Sequence, residues 1–228
     1  MMKARPILMN TEMAKATWEG RKTQTRRVIK QIPPHWKSYG INKFGEYIFY
    51  PDDEFELEHT EPLVKCPFGK VGDLLYVRET FFPYATPSLK VVGDNMPIIK
   101  EDYKNAWDET LYKFAYYKAD DMHGCNTKWK PSIHMPRWAS RMTLEITDIR
   151  VERLQDISSA DAIKEGIFPT TNSLTIDCDT PDPRDGFKSL WQSINGAESW
   201  EQNPFCWVIS FKLHKVNVDE FIRMKGDE

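Results

Sequence analysis

The chain of 228 residues lacks any apolar run near 18 residues, and its mean hydropathy is -0.59, so no membrane-spanning helix is expected. Met1 to Asn10 turns polar too early to serve as a secretory signal. Cysteine is scarce. Cys66, Cys125, Cys178 and Cys206 are too few for a disulfide scaffold in a chain this long, and they are read as reduced thiols of a cytosolic protein. With no Cys-x2-Cys or His-x3-His pair, the stretch His123-Gly124-Cys125 together with Cys66 and His134 lacks the spacing of a structural zinc site. A phosphate-cradling glycine loop and a dinucleotide motif are absent too. No metal or cofactor is expected. The net charge of -3 argues against a protein that coats nucleic acid without selectivity.

What is present is the balance of a globular protein: 40% apolar and 29% charged residues, with eight Trp, nine Tyr and twelve Phe to fill a core. At about 150 residues per domain, the length allows one or two. Charge is unevenly spread. From Thr11 to Lys30, Lys15, Arg21, Lys22, Arg26, Arg27 and Lys30 stand against Glu12 and Glu19, a net of +4 that leaves -7 on the rest. A positive focus on an acidic body suits a localised anionic or nucleic-acid-like ligand, although a charge run alone is more simply a solvated face.

Patterning predicts a strand at Arg5–Met9 and a helix at Glu12–Glu19, capped by Asn10 or Thr11 and ended by Gly20. Further strands are predicted at Thr23–Ile29 and Leu74–Thr80, the latter after the Gly72-Asp73 turn. Met142–Leu154 alternates, but its inward phase slips near Thr147-Asp148, which predicts a bulge or break there with Leu144 and Val151 both buried. Ser158 and Asp161 start a helix that Gly166 stops, and Phe187, Leu190, Trp191 and Ile194 fall at helical spacing up to Asn195-Gly196. Phe205, Trp207, Ile209, Phe211 and Leu213 alternate as a last strand. The expected fold is mixed β with flanking α-helices, a small open β-barrel. It forms a single domain over 1–214 with insertions at about 33–66 and 82–137, followed by a tail at 215–228.

The stretch Gly20-Arg21-Lys22-Thr23-Gln24-Thr25-Arg26-Arg27 is the most informative. Gly20 lets the chain leave the helix sharply, placing Lys22 in a turn, while Thr25 and Arg27 share a strand face. A partly desolvated Lys beside another cation loses its proton more readily and can activate a nearby hydroxyl. Lys-x-x-Thr alone is weak evidence, and an ordinary basic turn reads equally simply. In Leu75-Tyr76-Val77-Arg78-Glu79, parity puts Glu79 at the end of an apolar face, where a carboxylate needs a partner; Lys22 is the obvious candidate. A plain buried ion pair is the competing interpretation. If these groups form a site, Lys22, Thr25 and Glu79 are expected to converge on one solvent-accessible pocket.

Gly20-x-Lys22-x4-Arg27 is similar to the signature of ASCH domains, which have a PUA-like barrel fold. The chain resembles the larger ASCH proteins of bacteriophages and prophages in further stretches. These are Arg5-Pro6-Ile7-Leu8, Cys66-Pro67-Phe68-Gly69, Gly72 to Thr80, Ile133-His134-Met135-Pro136-Arg137-Trp138-Ala139-Ser140-Arg141, and Asn203-Pro204-Phe205 ahead of Trp207-Val208-Ile209. The resemblance implies recognition of RNA or a modified base in a cleft beside the first helix, in the cytoplasm of a bacterial host cell. Some small bacterial members remove the acyl group of N4-acetylcytidine with a Lys, a Thr and a downstream Glu, which fall here on Lys22, Thr25 and Glu79. Gly20, Arg21, Arg26, Arg27 and Arg78 are the accompanying candidates for ligand binding. The hydrolases so far characterised are close to a bare barrel, whereas this chain carries two insertions. Two other functions remain open: a non-catalytic RNA- or DNA-binding regulatory module, and a protein-binding accessory scaffold. The oligomeric state is not legible.

The insertions bring Trp36, Tyr39, Phe44, Tyr47, Phe49 and Tyr50, then Tyr103, Trp107, Tyr112, Phe114, Tyr116, Tyr117 and Trp129, interleaved with Lys113, Lys118, Lys128 and Lys130. Aromatics beside cations can stack bases, but under long loops they more often build a satellite core. The acidic run from Asp52 to Glu61 reads as a solvated loop.

Overall fold

A computed structural model describes residues 3–32, 38–41, 47–50, 63–86, 99–104, 110–120, 128–167 and 182–226. It is mixed and strand-rich with a few short helices, and among the described residues no sheet closes on itself. The chain divides into two compact units, 1–23 with 71–147 and 211–228, and 24–70 with 148–210. The first insertion expected from the sequence lies in the second unit, and the second insertion lies in the first.

In the first unit, β1 (Ala4–Leu8) pairs in parallel with β6 (Leu74–Arg78), with Arg5 opposite Leu75 and Ile7 opposite Val77. The start of β10 (Thr143–Arg153) pairs antiparallel with β6, Leu144 opposite Leu75. Between β1 and the next strand, α1 (Thr11–Trp18) is capped by Asn10, whose side chain accepts the Met13 N–H at 2.8 Å. Gly20 ends it with φ 78, and the Ala16 carbonyl accepts from the N–H groups of both Arg21 and Lys22. A second sheet joins β7 (Phe81–Thr86), β9 (Thr110–Tyr117) and β8 (Ile99–Lys104) in the order β7-β9-β8. Phe81, Ala115, Tyr117, Met135 and Ala139 form a core cluster there, so this part of the aromatic insertion is a satellite core. The expected tail is structured: α4 (Val218–Gly226) buries Val218 and Phe221 against Leu74. Its apolar spacing spans only two turns, too short for periodicity to reveal.

In the second unit, β2 (Gln24–Val28) pairs antiparallel with β11 (Phe205–His214), Thr25 opposite Ile209 and Arg27 opposite Trp207. β3 (Ser38–Ile41), β4 (Tyr47–Tyr50) and β5 (Leu63–Val64) form a three-stranded sheet. Here Tyr39, Tyr47 and Phe49 meet Phe205 and Trp207 edge-on, with Phe49 fully buried as core, Tyr47 half-buried and Tyr39 still exposed. Two helices, α2 (Ser159–Lys164) and α3 (Pro183–Asn195), build a cluster of Leu154, Ile157, Ala162, Phe187, Trp191 and Cys206. Ser158 caps α2 by accepting the Asp161 N–H, as the sequence indicates.

Two strand expectations are refined. β10 runs unbroken, yet Leu144 and Val151 are both buried while Thr147 and Asp148 are consecutively exposed; the division between units falls between those two residues. β11 alternates only in its second half, where buried Phe211 lies between half-buried Ser210 and exposed Lys212. Phe205, Cys206, Trp207, Val208 and Ile209 are all buried, because both faces of the first half are covered. No helix among the described residues is long and apolar enough to cross a membrane.

Candidate functional site

The candidate residues divide between the two units. Gly20, Arg21, Lys22, Arg78 and Glu79 belong to the first, and Thr25, Arg26 and Arg27 to the second. The expected solvent-facing pocket is corrected by burial: Lys22 is 1%, Thr25 0% and Glu79 1% exposed.

Within the first unit, β6 positions Glu79 as its parity requires, since Leu75, Val77 and Glu79 are all buried. The partner the structure gives it is Arg141, which sequence reasoning did not single out. Arg141 Nε and Nη2 donate to Oε1 and Oε2 of Glu79 at 3.0 and 3.1 Å, and its Nη1 donates to Asp120 Oδ2 at 2.8 Å. The guanidinium carbon lies 3.8 Å from the centre of the Tyr117 ring and 4.3 Å from that of Trp18. Burial pushes the Glu79 carboxyl above its ordinary value, while the charge and hydrogen bonds of Arg141 pull it back. Lys215 stands 4.7 Å from the Trp18 ring centre, adding a second cation. The one sequence signal for Arg141 was its place at the end of Ile133 to Arg141, a stretch recognisable as a motif but silent about contacts. Arg78 donates to the Ile133 carbonyl, and Arg21 pairs with Glu19.

In the second unit, the alternation of β2 sends Gln24 and Arg26 to one face and Thr25 and Arg27 to the other. Arg26 is wholly buried among carboxylates: Nη2 lies 2.7 Å from Glu152 and 3.5 Å from Asp161, and Nη1 3.3 Å from Glu165. With its amide assigned to suit its neighbours, Gln24 donates to Asp161 Oδ1 at 3.3 Å and accepts from Arg26 Nη1 at 2.7 Å. Arg26 is thus occupied by protein acids rather than presented to a ligand. On the opposite face, the Thr25 hydroxyl and the Trp207 indole N–H are both buried without a hydrogen-bond partner. Burial lowers the Arg27 guanidinium below its ordinary value, partly offset by Glu165.

The positive focus is therefore largely internal. Of its six basic residues only Lys30 is exposed, because Lys22 and Arg26 are buried and the other three are half-buried. His123, Cys125 and the acidic run lie outside the described residues; among the described residues no group of three or more His, Cys, Asp or Glu is placed to hold a metal.

Comparisons with protein-family models, curated proteins and solved structures find no match for the chain.

Proposed function

We propose that the protein recognises a nucleic-acid base or nucleoside through the groups around Lys22, Thr25 and Glu79, on a PUA-like open barrel of the ASCH type. The observation that carries this reading is the Thr25 hydroxyl, wholly buried and without a hydrogen-bond partner. A buried hydroxyl left unsatisfied costs about 1–3 kcal/mol, a cost that a ligand hydrogen-bonding to Thr25 would offset. Aromatic rings and cations beside Glu79 are the composition that stacks and hydrogen-bonds a base.

The enzymatic form of the reading is hydrolysis of an N4-acylated cytidine. Thr25 Oγ attacks the amide carbonyl and Lys22 Nζ takes its proton. The C–N bond then breaks, and the exocyclic amine leaves with that proton. Water hydrolyses the acyl ester on Thr25, releasing a carboxylic acid, while Glu79 orients Lys22 or relays protons. Groups this buried act on a substrate only after a local opening of the chain.

Binding without turnover is the second reading, favoured by the double hydrogen bond through which Arg141 already occupies Glu79. Incubation with a panel of N4-acylated cytidines and modified RNAs, followed by mass spectrometry and binding titration, separates the two. Release of the acyl group supports the hydrolase, and binding without cleavage supports the module. The absence of both binding and cleavage overturns the base-recognition reading.

A further inference from the structure

Ile133 to Arg141 is tied to Glu79 along its length, all within the first unit. The main-chain N–H of Glu79 lies 3.2 Å from Met135 Sδ, and Arg78 just before it donates to the Ile133 carbonyl. Two short 3-10 turns, Ser132–His134 and Arg137–Ala139, shape the segment, each preceded by a proline. Asn217 Nδ2 then donates to the carbonyls of Arg137, Trp138 and Ser140, at 3.1, 3.1 and 2.7 Å. Tyr117 Oη donates to the Ala139 carbonyl at 2.8 Å, which fixes the ring lying against Arg141.

These contacts converge on one guanidinium. Its donors are taken by Glu79 on one side and Asp120 on another, and aromatic rings stand against it. Both Glu79 oxygens are engaged by a planar fork, which fixes the carboxylate plane as a single ammonium cannot. Arg141 is itself only 5% exposed, so little water competes for it.

We infer that Arg141 is a positioning residue: it sets the orientation and the charge of Glu79, and Trp18, Tyr117 and Asp120 hold Arg141 in place for that task. The inference rests on the reading that Glu79 serves the base-recognition site. Its physical content can nevertheless be tested without any ligand. The groups that act on the Glu79 charge are Arg141, which favours ionisation, and Asp120, which opposes it, with burial opposing it most strongly. Tyr117 is held neutral, its phenol pushed well above the ordinary value by burial.

The experiment follows the Glu79 carboxyl by carbon-13 NMR in wild type, Arg141→Met and Arg141→Lys, with the signal assigned from Glu79→Gln. Removing an opposite charge in hydrogen-bond contact should raise the Glu79 midpoint by about one to three pH units in Arg141→Met. Arg141→Lys should give a smaller rise, since it keeps the charge and loses the fork. If Arg141→Met does not fold, Arg141→Lys decides alone. An unmoved midpoint in the folded variants overturns the inference. Binding and turnover of N4-acetylcytidine, measured in parallel against pH, should follow the displaced midpoint. Wild type that neither binds nor cleaves any nucleoside overturns the function and leaves the titration to judge Arg141 by itself.

Discussion

Arg26 and Glu152 meet at 2.7 Å although the Arg26 side chain is wholly buried, and Asp161 and Glu165 complete an acidic surround. Removing one partner of a buried pair leaves the others charged and unmatched, at a cost of about 3–5 kcal/mol. Arg26→Met should therefore lower stability by that order in a denaturant melt, without changing the salt dependence of any nucleic-acid binding by the folded protein. A small stability loss with a flatter salt slope would instead mark Arg26 as a phosphate contact.

Asp161 belongs to the same network and gives it a pH signature. Burial alone would raise its carboxyl, but Lys164, Arg150 and Arg26 together hold it below the ordinary value of 3.8. A carboxyl lowered on folding contributes stability that is fully present above its unfolded value and is lost as pH falls through the folded one. Asp161→Asn should accordingly flatten the fall in stability below about pH 4. Thermal melts in which variant and wild type share the same acid slope would refute this.

Gly20 illustrates how much was readable in the sequence. The helix ahead of it, its Asn10 cap and its glycine stop depend on contacts a few residues apart, and they appear as expected. Glu79 also lies where strand parity puts it. Its partner Arg141 is 62 residues away, and no local rule could choose that residue over Lys22. The two-sided burial of β11 has the same origin: alternation records the side chains of one strand, whereas the layers covering it come from elsewhere in the chain. Net charge misled most, because counting cations in a window cannot tell an exposed arginine from Arg26 inside its carboxylates.

Gly20 also yields a test. At φ 78, a side chain there is strained by the backbone alone, since an added Cβ meets nothing within 4 Å. Gly20→Ala should cost about 1–2 kcal/mol in a urea melt, with Gly20→Asn cheaper because Asn tolerates this region. Equal stability of wild type and Gly20→Ala would show that the turn does not need the left-handed conformation.

Thr25→Val separates the catalytic reading from a structural one. The Thr25 hydroxyl is buried with no hydrogen-bond partner, so it contributes no bond while bearing the cost of leaving water. Valine has nearly the same shape and favours the strand that Thr25 occupies. The variant should gain about 1 kcal/mol in a melt, the reverse of the usual effect of a core substitution. If Thr25 is the nucleophile, the same change abolishes release of the acyl group while a nucleoside still binds, because only the attacking atom is gone. A loss of stability would mean that the hydroxyl has a partner in solution. Turnover that survives in Thr25→Val would remove Thr25 from the chemistry altogether.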